Sequence, residues 1–329
     1  MKNPLVSVIT TAYTLDRLKD ITELLDSLNA QTYKNTETLI VAERLPELAD
    51  SIKSYIAEKG YANMRVLFNQ GEWGSYPSRN LAIGEAKGDI IAFVDDDAIP
   101  FPDWVEQTVK VYDEDSSVVG VTGPILPLWQ DKSMKWFPRE LYWIFSCTYR
   151  EVAERTEVRN GYCTNLSFRR EAFDSCGLFK SSLVGEGWGK SDWQQPAAQE
   201  TEFCLRAKRG TGKRIVYDPA VRVRHKVYGY RLSSGFLARR AYWEGYAKAM
   251  LNRWYRDGGG EAVLSTEYEL LRRILLKRLL PTVGRLFRQP ATAGRQLWAV
   301  IVVLSGVAGG YLSYNFLSLF RRKGPGGGG

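Results

Sequence analysis

Three consecutive aspartates, Asp95-Asp96-Asp97, follow the apolar run Ile90 to Val94. Carboxylates placed side by side repel one another, and a divalent cation relieves that repulsion. Oxygen ligands favour magnesium or manganese, Mg2+ or Mn2+, over softer metals. In a turn at a strand end, alternate side chains point the same way, so Asp95 and Asp97 address one ligand. A solvated acidic turn has the same composition, but the place at the carboxyl end of a strand favours a site. Glu43 ends a second apolar run, Thr38 to Ala42, in the same manner. The acids Glu200 and Glu202 open a helical segment, where the dipole stabilises a carboxylate by about 0.3–1 kcal/mol. The single histidine, His225, follows Val221-Arg222-Val223-Arg224. A lone histidine is ordinarily structural, so neither of these last two features marks a site unaided.

The elements that must position these residues are legible from hydrophobic period. Leu5 to Thr10 is a short β-branched run and predicts a buried strand. Ile21 to Tyr33 carries apolar residues at helical spacing, and Glu47 to Lys59 predicts a second helix. Strands are expected at Thr38 to Ala42, Met64 to Phe68, Ile90 to Val94 and Val118 to Thr122. A helix from Ser78 to Ala86 is expected to stop at Gly88, and another to run from Asp103 to Tyr112. Strand and helix alternating in this way predict an α/β fold with a mostly parallel central sheet, ligands gathering at the carboxyl ends of its strands. After Gly123-Pro124 the texture changes to an aromatic stretch between Trp129 and Tyr149. Its ordinary role is core, and its functional role is sugar stacking or an apolar acceptor groove. Beyond it, strands are expected at Asn165 to Arg169, Arg214 to Tyr217 and Val221 to Arg224. Helices are expected at Thr201 to Lys208 and from Gly235 to Arg256, the latter broken by Gly258-Gly259-Gly260.

Composition narrows the class. With 44% hydrophobic and 25% charged residues over 329, the chain is neither disordered nor a disulfide scaffold. The net charge of +8 is confined to the end: Leu264 to Gly329 holds ten Lys/Arg and two acids. The balanced body argues against nucleic acid as partner, and the basic tail argues for an anionic membrane surface. Cys147, Cys163, Cys176 and Cys204 lack metal-site spacing and read as small buried hydrophobes. The N-terminus shows no charged segment followed by a long apolar run, so the body is expected in the cytosol.

Several segments together resemble the family 2 glycosyltransferases of the GT-A fold. They are Val6 to Tyr13, Ser78 to Ala82, Gly88 to Asp97 and Asn165 to Arg170, in matching order between about Pro4 and Lys226. Phe137 to Trp143, Cys147 to Tyr149 and Arg240 to Gly245 are similar to a mainly archaeal subgroup that extends dolichyl-phosphate-linked sugars, glucosyl-dolichyl phosphate glucuronosyltransferases among them. The resemblance implies roles. Thr11, Ala12 and Tyr13 would hold the nucleotide base, with Glu43 on uridine where most relatives carry Asp. Arg79, Asp95 and Asp96 would bind the nucleotide sugar, and Asp97, Asp95 and His225 the metal. Glu200 falls on the general base of the acceptor half, where Gln199 replaces the usual first acid and Glu202 is the fallback. Trp143, Tyr149 and Asn165 would line the acceptor side.

The implied chemistry is a single displacement that inverts the anomeric carbon of a nucleotide-sugar donor, a UDP-sugar such as UDP-glucuronate. A sugar hydroxyl must lose a proton to attack, whereas a lipid phosphate is already ionised. An acid in the base position therefore favours a polyprenyl- or dolichyl-phosphate-linked sugar as acceptor, in glycan assembly for protein N-glycosylation. The competing expectations are an exopolysaccharide or dolichyl-phosphate-sugar synthase, and a nucleotide-sugar-binding module without turnover. Two segments are expected: a catalytic domain over 1–262, its nucleotide half about 1–128 and acceptor half about 129–262, and a tail over 263–329. Within the tail, Tyr268 to Phe287 has a basic amphipathic period with Pro281 as a break, and Gln296 to Phe320 carries no charge. About 20 apolar residues span a bilayer, so the tail is expected to hold the protein at the cell membrane, catalytic domain on the cytoplasmic side. Gly306 and Gly310 make a small-residue pair suited to helix association.

Overall fold

The protein is described by a computed structural model covering residues 3–149, 152–180, 198–255 and 264–320. The first half alternates as expected: β1 (Val6–Ala12), α1 (Leu18–Asn29), β2 (Thr36–Glu43), α2 (Pro46–Lys59), β3 (Met64–Asn69), α3 (Ser75–Glu85) and β4 (Ile90–Phe93). It continues with β5 (Ala98–Pro100), α4 (Trp104–Glu114), β6 (Val118–Thr122), β7 (Ile125–Trp129), β8 (Thr156–Val158), β9 (Leu166–Arg169) and α5 (Glu171–Cys176). The remainder is α6 (Gln199–Thr211), β10 (Arg214–Tyr217), β11 (Val223–Val227), α7 (Ser234–Tyr255), α8 (Ser265–Arg273), α9 (Leu280–Arg285) and α10 (Pro290–Phe320).

The main sheet has the order β3-β2-β1-β4-β9-β6-β10-β8. Its β3-β2-β1-β4 half is parallel throughout, as the helical crossovers require. β9 runs antiparallel between β4 and β6, while β6 and β10 are again parallel. A smaller sheet has the order β5-β11-β7. β1, β2 and β4 are buried on both faces over most of their length, which explains their apolar runs, whereas the edge strand β3 leaves Arg65 exposed. On one face Leu24, Leu25, Ile40, Ile52 and Trp104 pack together; on the other Ile9, Phe93, Phe168, Phe173 and Phe203 do.

Gly88 does not end a helix. α3 closes at Glu85 with an extended cap at Ala86. A Cβ on Gly88 would stand 2.5 Å from the Ser7 backbone nitrogen, so this glycine lets the β4 entry lie against β1. Asn165 is likewise not in the strand: Cys163–Asn165 is one 3-10 turn that delivers the chain into β9.

Two compact units emerge, one formed by 1–128, 146–192 and 199–226, the other by 129–145, 193–198 and 227–329. One edge between the units falls at 128/129 and another at 226/227. Within the second unit the Gly306/Gly310 pair of the tail meets a partner. There α10 lies along α7, and a Cβ on Gly310 would stand 1.8 Å from the Tyr242 carbonyl oxygen. Gly245 makes the reciprocal approach to Val307. The Gly306/Gly310 pair therefore associates with a helix of its own chain. Arg278 pairs with Glu140 at 2.7 Å, and the Gln296 amide donates to the Trp136 carbonyl. The expected helix through Tyr268 to Phe287 is divided by a π segment, Ile274–Leu279, and Pro281 sits in the first turn of α9. A proline lacks the N–H that a continuous helix needs, so the ladder shifts before it. The end at Arg256, the Gly258-Gly260 break, Arg321 to Lys323 and the terminal glycines lie outside the described residues.

Candidate active site

β4 ends at Phe93, and Val94 donates to the Ile9 carbonyl, which carries the aspartate triplet alongside the end of β1. Three alignments then supply its neighbours. In the β5–β11 pair, His225 stands opposite Ala98, and its Nε2 reaches Asp97 Oδ1 at 2.9 Å. In the β4–β9 pair, Phe93 stands opposite Leu166, so the preceding turn faces the triplet and the Thr164 hydroxyl donates to Asp95 Oδ2. From the turn after β1, Arg17 Nη1 donates to Asp96 Oδ1 at 2.6 Å and approaches Asp97 Oδ2 at 3.0 Å.

Ligand atoms of Asp95, Asp97 and His225 all lie within 4.8 Å of one another. Two carboxylates and an imidazole suit manganese or magnesium, and Asp96 Oδ2 is buried without a hydrogen-bond partner among the described residues. The donor set thus fits a divalent cation. Electrostatics agree with a site built to receive positive charge. Burial pushes the Asp96 carboxyl up to about 7 against the pull of Arg17. Burial also opposes charge on His225, but the adjacent Asp97 carboxylate outweighs it and holds the imidazole up at about 10, so a cation bound there would have to displace the Nε2 proton. Cys147 Sγ lies 3.8 Å from His225 Nδ1 and fixes the other side of the ring.

α3 carries the next layer. Arg79 is buried, and its Nη2 donates to Asp95 Oδ1 at 2.9 Å. Tyr76, one turn earlier on the same face, lies under the guanidinium, 5.1 Å from it. Its phenol is hydrogen-bonded to the Glu200 carboxylate, and burial, with Glu200 second, pushes its pKa well above the usual range. Burial opposes the charge of Arg79, yet Cys163, Asp95, Tyr76 and Glu200 around it hold that charge firmly. One buried guanidinium thus pairs with Asp95 and lies within electrostatic reach of Glu200 on the first turn of α6.

Other expected residues occupy different settings. Ala12 is buried opposite Ala42, Thr11 is half-buried, and the Tyr13 ring is exposed with Arg17 5.5 Å from its centroid. Glu43 is buried and accepts from the Gly74 backbone at the start of α3. Glu202 is fully enclosed and paired with Lys180 and Arg206, both at 3.0 Å, which makes it a structural acid. The Asn165 amide is committed to the frame: its oxygen accepts from Trp104 Nε1 and its nitrogen donates to the Val221 carbonyl, both at 2.8 Å. Tyr149 is half-buried. Trp143 belongs to the second unit and is 7% exposed, too enclosed to offer a stacking face. The aromatic stretch around it packs on itself, with Phe137–Phe145 at 4.9 Å and Trp129–Tyr142 at 5.4 Å. Cys147, Cys163 and Cys204 are buried, and no disulfide forms among the described residues.

Sequence reading missed Arg17, Tyr76 and Thr164. Tyr76 carried a signal, its three-residue spacing from Arg79 on one helix. Thr164 carried none, because only the antiparallel entry of β9 brings it to Asp95.

A sequence model of glycosyl transferase family 2 matches residues 7–177. The chain is 29% identical, over 93% of its length and 95% of the relative's, to the glucosyl-dolichyl phosphate glucuronosyltransferase of Haloferax volcanii. Among solved structures, it resembles the mannosyltransferase PcManGT of Pyrobaculum calidifontis in complex with GDP-Man and Mn2+. The TM-score is 0.60 at 18% identity, covering 97% of this chain and 80% of that one. It also resembles GalNAc-T7 with UDP, GalNAc and Mn2+, at a TM-score of 0.53 and 15% identity, covering 86% of this chain and 57% of that one. These two likenesses carry the GT-A fold.

Proposed function

The chain belongs to glycosyl transferase family 2, and from that premise we propose which sugar transfer it performs. The donor is a nucleotide sugar, a UDP-sugar with UDP-glucuronate as the leading candidate. The acceptor is a hydroxyl of a polyprenyl- or dolichyl-phosphate-linked sugar, and transfer inverts the anomeric carbon. The reaction belongs to glycan assembly for N-glycosylation at the cytoplasmic face of the membrane. The observation that carries this reading is the cluster of Asp95, Asp97 and His225 with Arg79 paired to Asp95, and Glu200 within electrostatic reach of that guanidinium. Donor and acceptor identity rest on the similarity along nearly the whole chain to the Haloferax volcanii enzyme.

Asp95, Asp97 and His225 would hold the cation, manganese or magnesium. When bound, such an ion supplies Lewis-acid neutralisation of the diphosphate leaving group. The side chains do the rest. Glu200, on the first turn of α6, takes the proton from the acceptor hydroxyl while that hydroxyl's oxygen bonds to the anomeric carbon. The bond from that carbon to the diphosphate oxygen breaks, and the electron pair leaves with the diphosphate. A positioned base of this kind contributes about 10²- to 10⁴-fold in rate. Tyr76 holds the Glu200 carboxylate in place, with Arg79 beside it. Thr11, Ala12, Tyr13 and Glu43 receive the base of the nucleotide.

The second unit supplies the membrane attachment in this reading. Among the described residues, one helix, Pro290–Leu319, is long and apolar enough to cross a bilayer. Outward faces of α10 present Ile301, Leu312, Phe316 and Leu319, and Phe287 before it is 93% exposed. Arg272, Arg273, Arg285 and Arg288 accompany these apolar groups in sequence, which suits an anionic leaflet.

The test is incubation of purified protein with a nucleotide-sugar panel and dolichyl-phosphate-glucose, read by mass spectrometry of the lipid. A hexuronic-acid mass increment is expected. Transfer to dolichyl phosphate itself, with none to the glucosylated lipid, would overturn the acceptor assignment.

A further inference from the structure

Arg17 occupies an unusual position for a residue outside every strand and long helix. It closes the 3-10 turn Leu15–Arg17 and leads directly into α1. Its side chain is 13% exposed, and a single nitrogen, Nη1, bridges Asp96 Oδ1 and Asp97 Oδ2. The opposite oxygen of Asp97 faces His225. Asp97 is thus held on one side by a chain-borne cation and on the other by a proposed metal ligand. Asp96 and Asp97 together draw the arginine charge further up, although burial opposes it.

A divalent ion among Asp95, Asp97 and His225 would lie within a few ångströms of this guanidinium. Like charges at such range repel strongly in a buried setting. Asp96 and Asp97 offset part of that repulsion, and a further anion between the two would offset more. The donor's diphosphate is such an anion, and a guanidinium binds phosphate oxygens in a planar, two-pronged geometry. We infer that Arg17 pairs with Asp96 and Asp97 until ion and donor arrive together, and then moves to the nucleoside diphosphate. The inference rests on the metal–nucleotide reading above and adds a residue that neither the family resemblance nor the sequence spacing assigned.

Binding order follows. Arg17 makes the ion alone bind weakly, because the ion must displace it without compensation. With the diphosphate present the displaced guanidinium gains a new partner, so ion and nucleotide bind together better than separately. Such coupling is reciprocal: each ligand strengthens the other by the same factor.

The experiment uses the full chain in detergent. Free Mn2+ is measured by its electron paramagnetic resonance, first alone and then with uridine or guanosine diphosphate, and nucleotide affinity is measured by calorimetry with and without Mn2+. Hydrogen bonds to charged groups are each strong enough that Arg17→Gln is expected to move affinities by about tenfold or more. Mn2+ alone should bind tighter in Arg17→Gln, while nucleotide with Mn2+ should bind weaker. Arg17→Lys keeps the charge and should keep the weak binding of Mn2+ alone, which separates charge from folding. Opposite shifts in Arg17→Gln, at unchanged circular dichroism, support the inference. Unchanged affinities, or parallel weakening of both ligands, overturn it. If the unaltered protein binds Mn2+–nucleotide and Asp97→Asn abolishes this, while Arg17→Gln binds like the unaltered protein, the inference alone fails. If the unaltered protein binds neither ligand, the site reading fails and takes the inference with it.

Discussion

Glu200 and Glu202 are two residues apart on one helix, yet they sit in different surroundings. Replacing each with glutamine tests the proposal that Glu200 is the base and Glu202 a structural acid. Glu202 is fully enclosed, while its partners Lys180 and Arg206 retain 50% and 22% side-chain exposure. Breaking a fully buried pair costs about 3–5 kcal/mol. Solvent reaches both cations here, so Glu202→Gln is expected to cost about 2–3 kcal/mol of stability. Burial opposes the charge of Glu202, but Arg206 and Lys180 outweigh it and lower its pKa. A carboxyl lowered on folding stabilises fully above the ordinary glutamate value of about 4.3 and loses that contribution as pH falls through the folded value. The unaltered protein should therefore lose stability in that acid window, and Glu202→Gln should lose less over the same interval. Glu200→Gln keeps an acceptor for Tyr76 and removes one of several anions around Arg79, so it should cost less than Glu202→Gln, about 1 kcal/mol. It should keep nucleotide binding and lose transfer by about 10²- to 10⁴-fold. The assays are tryptophan fluorescence in denaturant, calorimetry with nucleoside diphosphate, and mass spectrometry of the lipid product. Intact stability with lost transfer in Glu202→Gln, and full transfer in Glu200→Gln, would move the base two residues along and refute the reasoning.

Asp97→Asn should abolish both metal-dependent nucleotide binding and turnover; full activity of the unaltered protein in excess chelator would count against the cation site. Gly310→Ala places a methyl where only 1.8 Å separates it from the Tyr242 carbonyl, so a loss of about 1–3 kcal/mol is expected as α10 is forced off α7. An unchanged melting temperature in detergent would contradict that packing. Ending the chain at Tyr255 removes α8 to α10 and uncovers α7, so that product should aggregate rather than remain a dispersed catalytic body, as judged by size-exclusion chromatography. Changing Arg272, Arg273, Arg285 and Arg288 together to Gln should weaken sedimentation with anionic vesicles by about a hundredfold or more, each charge contributing about 1 kcal/mol at the surface. Equal binding to neutral vesicles by the unaltered protein would show that apolar insertion alone holds it.

Hydrophobic period was enough to read the parallel half of the sheet and the exit of the aspartate triplet from it. The reason is local: a strand buried on both faces must be apolar along its length, and the first polar residues mark its end. Ile90 to Phe93 and the acids after it state this outright, as do Val6 to Ala12 and the uncharged length of α10. Pairing and register are another matter, because they depend on residues far apart in the chain. His225 meets Asp97 only because β11 aligns beside β5, and Thr164 meets Asp95 only because β9 enters antiparallel. The same distance hides the fate of glycines: Gly88 looks like a helix stop and is a point of contact with β1, and Gly310 looks like a dimer motif and meets α7. Charge is subject to the same rule. The letters at 200 and 202 are identical, and only the fold encloses one between Lys180 and Arg206 and sets the other against the Tyr76 phenol.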